Sequence, residues 1–355
     1  MLDDAIKKIQ ETLEVGEAAI IKSPSNRFYL TDFNSSDGVV LLSKKKAIFL
    51  TDSRYIEKAK AVVKSCETLL FDKGISQIAL LCKEQGIKKL FLETDFISVG
   101  AFEGYKKVFE DIEVSSDTKI TDLLLNLRSV KSETELKNIE LAQKLTDDTF
   151  SYILGRIEKG RTEKEIMLDM EFFMRKQGSE GVAFDFIVVS GKNSSLPHGV
   201  PTDKKIENGD FITMDFGAVV NGYRSDMTRT VAVGSVTNEQ KAVYETVLAA
   251  QLKALEAIKS GVPCKEIDKI ARDIIYKNYE GCFGHGLGHS VGIEIHESPS
   301  FSPRCETVLK PRMVMTVEPG IYIENKFGVR IEDMVFVTEN GCKNITKSEK
   351  SLIVL

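Results

Sequence analysis

The chain of 355 residues carries 53 acidic against 48 basic side chains, a formal charge of −5 and a pI near 5.7; this balance gives no sign of a polyanion-binding surface and excludes nucleic acid as an expected partner. Its length exceeds what one hydrophobic core usually organises, so two domains are expected, and an apolar fraction of 42% leaves ample material for their cores. The opening residues mix charge and apolar groups at helical spacing, no stretch is long and apolar enough to span a bilayer, and Cys66, Cys82, Cys264, Cys282, Cys305 and Cys342 form no CxxC pair. A cytoplasmic protein with reduced thiols and no membrane partner is the expectation.

The N-terminal third alternates strand-like and helix-like segments. The β-rich runs FYLTDF (28–33), GVVLLS (38–43) and AIFLTD (47–52) are separated by turn formers, while Tyr55–Val62 and Ile75–Gln85 have helical composition. IKKLFLET and FEDIEVS continue the pattern, which predicts a small α/β domain ending near Ser116. Its residues advertise no chemistry. A boundary follows near Leu127–Ser132, giving an N-terminal domain over 1–126 and a second domain over 127–355.

In the second domain, Ser132 with Glu135 reads as a capping box opening a helix that runs to about Ile157, and Thr162 with Glu165 and Thr237 with Gln240 repeat the signal. A fourth helix is expected over Cys264–Tyr279, after Pro263. Between and after these helices, AFDFIVVSG, DFITMDFGAVV, YRSDMTRTVAVG, MVMTVEPGIYI and VRIEDMVFVT read as strands. The second domain is therefore an α+β body whose strands carry the polar candidates.

Those candidates form a metal-binding set. If the segment DFGAVVNGYRSD is a hairpin turning near Asn221 and Gly222, Asp215 and Asp226 return to neighbouring positions on two strands. Asp215 lies between Met214 and Phe216, where an unpaired charge is costly, and Glu318 and Glu332 have similar apolar flanks. His289 in HGLGH supplies an imidazole, and the glycines around it permit close backbone approach. Four carboxylates and a histidine suit two divalent ions. The same glycine-rich run lacks the Lys-Ser or Lys-Thr ending of a phosphate-binding loop.

The motifs MDFGAVVNGYRSDMTRT, HGLGHSVGIEIHE, TVEPGIY and GVRIEDMV, in this order, resemble the metal-dependent pita-bread peptidases, specifically the Xaa-Pro aminopeptidase and prolidase branch. The likeness covers essentially the whole chain. It implies an N-terminal creatinase/prolidase-like α/β domain and a C-terminal pita-bread catalytic domain. It also implies a ligand set of Asp215, Asp226, His289, Glu318 and Glu332, with Asp226 and Glu332 bridging two ions. Manganese is the expected metal, with cobalt or zinc as alternatives. Glu318 is the implied proton carrier, His198, His285 and His296 are placed around substrate and oxyanion, and Arg330 stands behind the ligands, where it can orient an aspartate.

The resemblance implies hydrolysis of the Xaa-Pro bond in short proline-containing peptides. Some prolidase-like members have an Arg just after the proline that follows the last histidine; here Ser300 follows Pro299, which tilts the expectation toward an aminopeptidase, with an Xaa-Pro dipeptidase as the alternative. A noncatalytic interaction protein is the reading from another class; it predicts erosion of the ligand set, and none is visible. A homodimer is the expected assembly. Tyr223 and Thr228 are further candidates for orienting a carboxylate.

Overall fold

A computed structural model describes residues 2–355. The chain divides into two compact units that meet in sequence at Arg128 and Ser129. No helix among the described residues is long and apolar enough to cross a membrane, and no disulfide is present among them.

The N-terminal unit contains strands β1 (Glu17–Ile21), β2 (Val39–Ser43), β3 (Ala47–Thr51), β4 (Glu67–Leu70), β5 (Lys89–Leu92) and β6 (Glu113–Ser115) in one mixed sheet of order β4-β3-β2-β1-β5-β6. Its helices are α1 (Leu2–Thr12), α2 (Pro24–Thr31), α3 (Ile56–Val62), α4 (Ile75–Glu84), α5 (Val99–Val108) and α6 (Lys119–Ser129). Because strand side chains alternate, one apolar layer takes Ala19, Ile21, Val40, Leu42 and Phe49 against α1, α2, α3 and α6. The other takes Ala18, Ile20, Leu41, Ile48 and Leu50 against α4 and α5.

Residues 28–33 are not the strand expected from their aromatic and β-branched composition. Ser23 accepts a hydrogen bond from the Asn26 amide and Pro24 occupies the first turn, so Phe28 to Thr31 complete α2. A capping serine followed by proline is a strong helix start, and it outweighs the weak, context-dependent preference of aromatic residues for strands.

The C-terminal unit has four main helices, α7 (Glu133–Leu154), α8 (Glu163–Lys176), α9 (Asn238–Ala257) and α10 (Cys264–Tyr276). Capping boxes at Ser132/Glu135, Thr162/Glu165 and Thr237/Gln240 are all formed. Its strands are β7 (Ile187–Ser190), β8 (Phe211–Phe216), β9 (Val219–Val220), β10 (Tyr223–Arg224), β11 (Met227–Ala232), β12 (Gly288–Ser290), β13 (Glu297–Phe301), β14 (Val314–Val317), β15 (Gly320–Ile323), β16 (Phe327–Arg330), β17 (Asp333–Val337) and β18 (Cys342–Asn344). They form a sheet β11-β8-β7, a second sheet β13-β12-β14-β17-β18 and the pairs β9-β10 and β15-β16.

Two apolar layers fill this unit. Phe150, Ile166 and Met170 of α7 and α8 pack on Ile212, Met214 and Phe216 of β8, while Val247 and Ile267 of α9 and α10 pack on Met315, Val317 and Val335. With Ile212, Met214 and Phe216 committed to the helices, the pleat sends Thr213 and Asp215 to the opposite face. The β9-β10 turn has Asn221 and Gly222 at φ 48° and 76°, the pair of positive values that a two-residue hairpin turn of matching twist requires. Just before it the chain passes very close to itself: a Cβ on Gly217 would lie 1.9 Å from the Ser225 carbonyl oxygen.

The C-terminal segment is tied down by a buried carboxylate. Asp333 accepts from Arg229 Nη2 at 2.7 Å, Lys350 Nζ at 2.5 Å and Asn344 Nδ2 at 2.6 Å. Burial by itself would raise the Asp333 pKa, but the Arg229 and Lys350 charges hold it below the ordinary range. A depressed pKa contributes stability that is complete above the unfolded value, about 3.9, and is lost as pH falls through the native value. The melting-temperature gap between wild type and Asp333→Asn should therefore be constant near neutral pH and shrink below about pH 4; differential scanning calorimetry against pH is the check, and a gap that widened toward acid would contradict the ion-pair account.

Candidate metal centre and substrate cavity

A cavity of about 870 Å³ opens in the C-terminal unit, and Asp215, Asp226, His289, Glu318 and Glu332 all line it. Asp215 is brought there by the β8 pleat; it sits opposite Thr228 of β11 and Ile187 of β7. Asp226 directly precedes β11, and its amide donates to the Met334 sulfur at 3.0 Å. Thus the hairpin returns the two aspartates as diagonal neighbours. His289 lies on β12, where its amide donates to Thr316 Oγ1 at 3.0 Å, and Glu318 follows β14 with its amide bonded to the Leu287 carbonyl at 2.8 Å.

Glu332 does not lie within a strand as expected. It occupies the step between β16 and β17, its amide donating to the Thr228 carbonyl at 3.0 Å. The chain changes sheet at this point, and the Glu332 carboxylate lines the cavity with the aspartates.

One ligand atom each from Asp226, His289 and Glu332 lies within 4.8 Å of the others. His289 Nε2 is 3.3 Å from Glu318 Oε1 and 3.6 Å from Asp226 Oδ2. Its Nδ1 is 3.2 Å from the Ser290 carbonyl oxygen, a partner that can only accept, so a proton is assigned to Nδ1. Burial would lower the His289 pKa, but the hydrogen bond and charge of Glu318 raise it, so in the absence of a cation Nε2 is protonated as well and donates to Glu318.

The electrostatics call for added positive charge. Burial, followed by the charges of Glu332, Asp215 and Glu318, pushes Asp226 well above the usual carboxylate range, and burial with Glu318 and Asp215 does the same to Glu332. Asp215 is raised by burial as well. Burial would also raise Glu318, but the hydrogen bond and charge of His289 hold it at about 2. Asp215 Oδ1 and Glu332 Oε1 are buried without any hydrogen-bond partner. Buried carboxylate oxygens with no donor, converging beside an imidazole nitrogen, fit divalent cations; a cation of that charge would take the place of the Nε2 proton and keep every carboxylate ionised.

Arg330 is the only arginine or lysine among the residues lining the cavity. Its Nη2 donates to Asp215 Oδ2 at 2.6 Å, its Nη1 to Tyr322 Oη at 2.7 Å and to the Pro197 carbonyl at 3.2 Å, and its Nε to Thr228 Oγ1 at 3.0 Å. Thr228 passes the polarity on, donating to Glu332 Oε2 at 2.7 Å. Arg330 thus lies against Asp215, and it also touches the loop of His198.

The remaining histidines ring the same space. Tyr322, receiving from Arg330, has its own proton left for His285 Nε2 at 3.0 Å, while His285 Nδ1 lies 2.8 Å from the Gly286 carbonyl. Burial lowers the His285 pKa, in agreement with this neutral tautomer. His296 packs edge-on to His289 with ring centroids 4.3 Å apart, and burial and the His289 charge lower its pKa. His198 lies on the loop after the 3₁₀ turn Gly191–Ser195 and lines the cavity with Pro197 and Val200.

Residues 137–339 match the family model described as Metallopeptidase family M24, and residues 6–130 match the Creatinase/Prolidase N-terminal domain. The chain belongs to metallopeptidase family M24. Among solved M24-like structures, it resembles an Xaa-Pro dipeptidase from Bacillus anthracis at 41% identity and TM-score 0.94, covering 100% of this chain and 99% of that one. A prolidase from Pyrococcus horikoshii matches at 38% identity and TM-score 0.92, with 99% of both chains covered. An X-Pro aminopeptidase from Thermotoga maritima matches at 38% identity and TM-score 0.90 over 98% of this chain and 100% of that one.

Within this M24 site, the sequence did not single out Tyr322, Thr316 or Asp268. Thr316 receives the His289 amide and donates to Glu318 Oε1 at 3.2 Å. Asp268 accepts the Leu287 amide at 3.0 Å and orients Arg272, which donates to the His285 carbonyl at 2.8 Å. The adjacency of Thr316 and Tyr322 to Glu318 was a usable signal; Asp268 gives none, because it reaches the HGLGH loop from the buried face of α10. Of the two hydroxyl candidates, Thr228 belongs to the site, whereas Tyr223 donates to Glu135 Oε1 at 3.2 Å.

Arg330→Met leaves Asp215 buried without its cation and should destabilise the metal-free protein by about 3–5 kcal/mol in urea denaturation. Arg330→Lys should recover only part of that loss, since a single ammonium cannot reach Asp215, Tyr322 and Thr228 as the planar fork does. Full recovery by lysine would show that charge alone matters.

Proposed function

We propose that the chain hydrolyses the Xaa-Pro bond of short peptides with a free N-terminus, and that Xaa-Pro dipeptides are its principal substrates. The observation that carries the reaction class is the convergence of the buried Asp215, Asp226 and Glu332, the half-buried Glu318 and the His289 imidazole on one cavity, with two carboxylate oxygens left without donors. The dipeptide preference is supported by the full-length likeness to proteins described as Xaa-Pro dipeptidases and prolidases.

In this reading Asp215, Asp226, His289, Glu318 and Glu332 hold two divalent ions, manganese for preference because the donors are mostly oxygen. Such ions supply Lewis acidity toward the scissile carbonyl and acidify water. Glu318, ionised in the folded protein, accepts the proton of the attacking water and returns it to the departing proline nitrogen. His296, kept neutral by its surroundings, donates an N–H to the developing oxyanion. His285 is held in one tautomer by Tyr322 and shapes the wall with His198. Arg330 keeps Asp215 and, through Thr228, Glu332 in ligating orientation.

Aminopeptidase action on longer Xaa-Pro peptides is the second reading. It is favoured by Ser300 in the cavity wall and by the absence of any lining arginine or lysine besides the engaged Arg330 to hold a dipeptide carboxylate, and by the likeness to the Thermotoga maritima X-Pro aminopeptidase.

Ala-Pro should be turned over at least about 10-fold more efficiently than Ala-Pro-Ala, and N-acetyl-Ala-Pro should be inert, a difference of roughly 1.4 kcal/mol per factor of ten in transition-state binding. Product mass analysis decides the point; preference for the tripeptide would install the aminopeptidase reading.

Asp226→Asn should lower the manganese stoichiometry below two per chain and reduce affinity about 10- to 100-fold by calorimetric titration, whereas His296→Ala should keep both ions and lose rate. Wild type binding a single ion while fully active would overturn the dinuclear assignment.

A further inference from the structure

We infer that Lys131 and Glu297 form a buried staple that sets the position of His296 against His289, making both positioning residues for the peptidase reaction. Neither belongs to the ligand set or lines the cavity. Lys131 lies just before the Ser132 cap of α7, yet its side chain is 1% exposed and that of Glu297 5%. Its Nζ donates to Ser290 Oγ at 2.8 Å and to Glu297 Oε2 at 3.2 Å. Ser290 follows His289 in the chain and Glu297 follows His296, so one ammonium grips both ends of the loop that joins the two histidines.

The loop itself is folded onto the Glu297 carboxylate. Oε1 accepts the amides of Ile293 at 3.0 Å and Glu294 at 3.2 Å. A Cβ on Gly292 would lie 2.6 Å from Oε2, so a side chain there would push the Glu297 carboxylate aside. The β12-β13 pairing also shifts register between His289 and Ser290, so regular strand pairing does not determine where His296 falls. A buried ion pair contributes little net stability compared with apolar packing, but it fixes geometry where a flexible stretch would otherwise have several conformations. The His296 side chain is exposed and packs edge-on against the His289 ring; the staple supplies the backbone constraint.

The inference rests on the assignment of His296 as the oxyanion donor. The test is a double-mutant cycle on Ala-Pro hydrolysis with manganese-loaded protein, combining Lys131→Met with His296→Ala, together with manganese titration of each variant. Lys131→Met should reduce kcat about 10- to 100-fold, with KM and manganese affinity changed less than about threefold, and it should have almost no further effect on kcat once His296 is alanine. If Lys131→Met does not fold because the buried Glu297 loses its ammonium, the neutral pair Lys131→Met/Glu297→Gln enters the same cycle. Additive losses, or a loss that follows reduced manganese binding, overturn the positioning role while leaving the His296 assignment standing. A His296→Ala variant with wild-type kcat removes that assignment and the staple's function with it.

Discussion

The buried guanidinium of Arg330 is the interaction around which the catalytic unit is arranged. It is a single positive charge among carboxylates whose pKa values burial and mutual repulsion still raise. Its fork distributes that charge over an aspartate, a tyrosine and a threonine at once, and one further bond fastens the Pro197 carbonyl beside His198. The result is a hydrogen-bonded frame that turns carboxylates toward the cavity, the kind of support that orients metal ligands.

The sheets make that frame possible by dividing their faces. Along β8 the apolar residues meet α7 and α8, and the alternate positions carry Thr213 and Asp215 to the cavity. Close glycines extend the same principle to the backbone: a Cβ on Gly288 would lie 2.1 Å from the Thr316 carbonyl oxygen, so β12 can approach β14 closely only without a side chain there. His289 then lies against Glu318. Hydroxyls of Thr228 and Thr316 donate to Glu332 and Glu318, while Asp215 Oδ1 and Glu332 Oε1 stay buried without a partner.

Much of this was legible along the chain because its signals are local. A capping box needs only residues three apart, a hairpin turn needs Asn-Gly, and a carboxylate flanked by Met and Phe announces a buried charge wherever the strand goes. The helix starts at Ser132, Thr162 and Thr237 and the turn at Asn221-Gly222 follow from such patterns. Segment 28–33 failed because two local signals conflicted, and the Ser23-Pro24 helix start prevailed over aromatic strand preference. Glu332 failed differently: its sequence flanks are strand-like, but a change of partner sheet interrupts pairing at that residue.

The sequence by itself determined the identities of the ligand candidates, their order and, along β8, the alternation that turns Asp215 away from the helices, because side-chain type and the period of two are properties of the chain. Which hydroxyl supports which carboxylate, the route from Arg330 through Tyr322 to His285, and the grip of Lys131 on Ser290 and Glu297 were decided only by tertiary structure. Those contacts join residues up to 166 positions apart, and no local pattern encodes a distance of 3 Å between side chains that meet only after two sheets and their helices have packed.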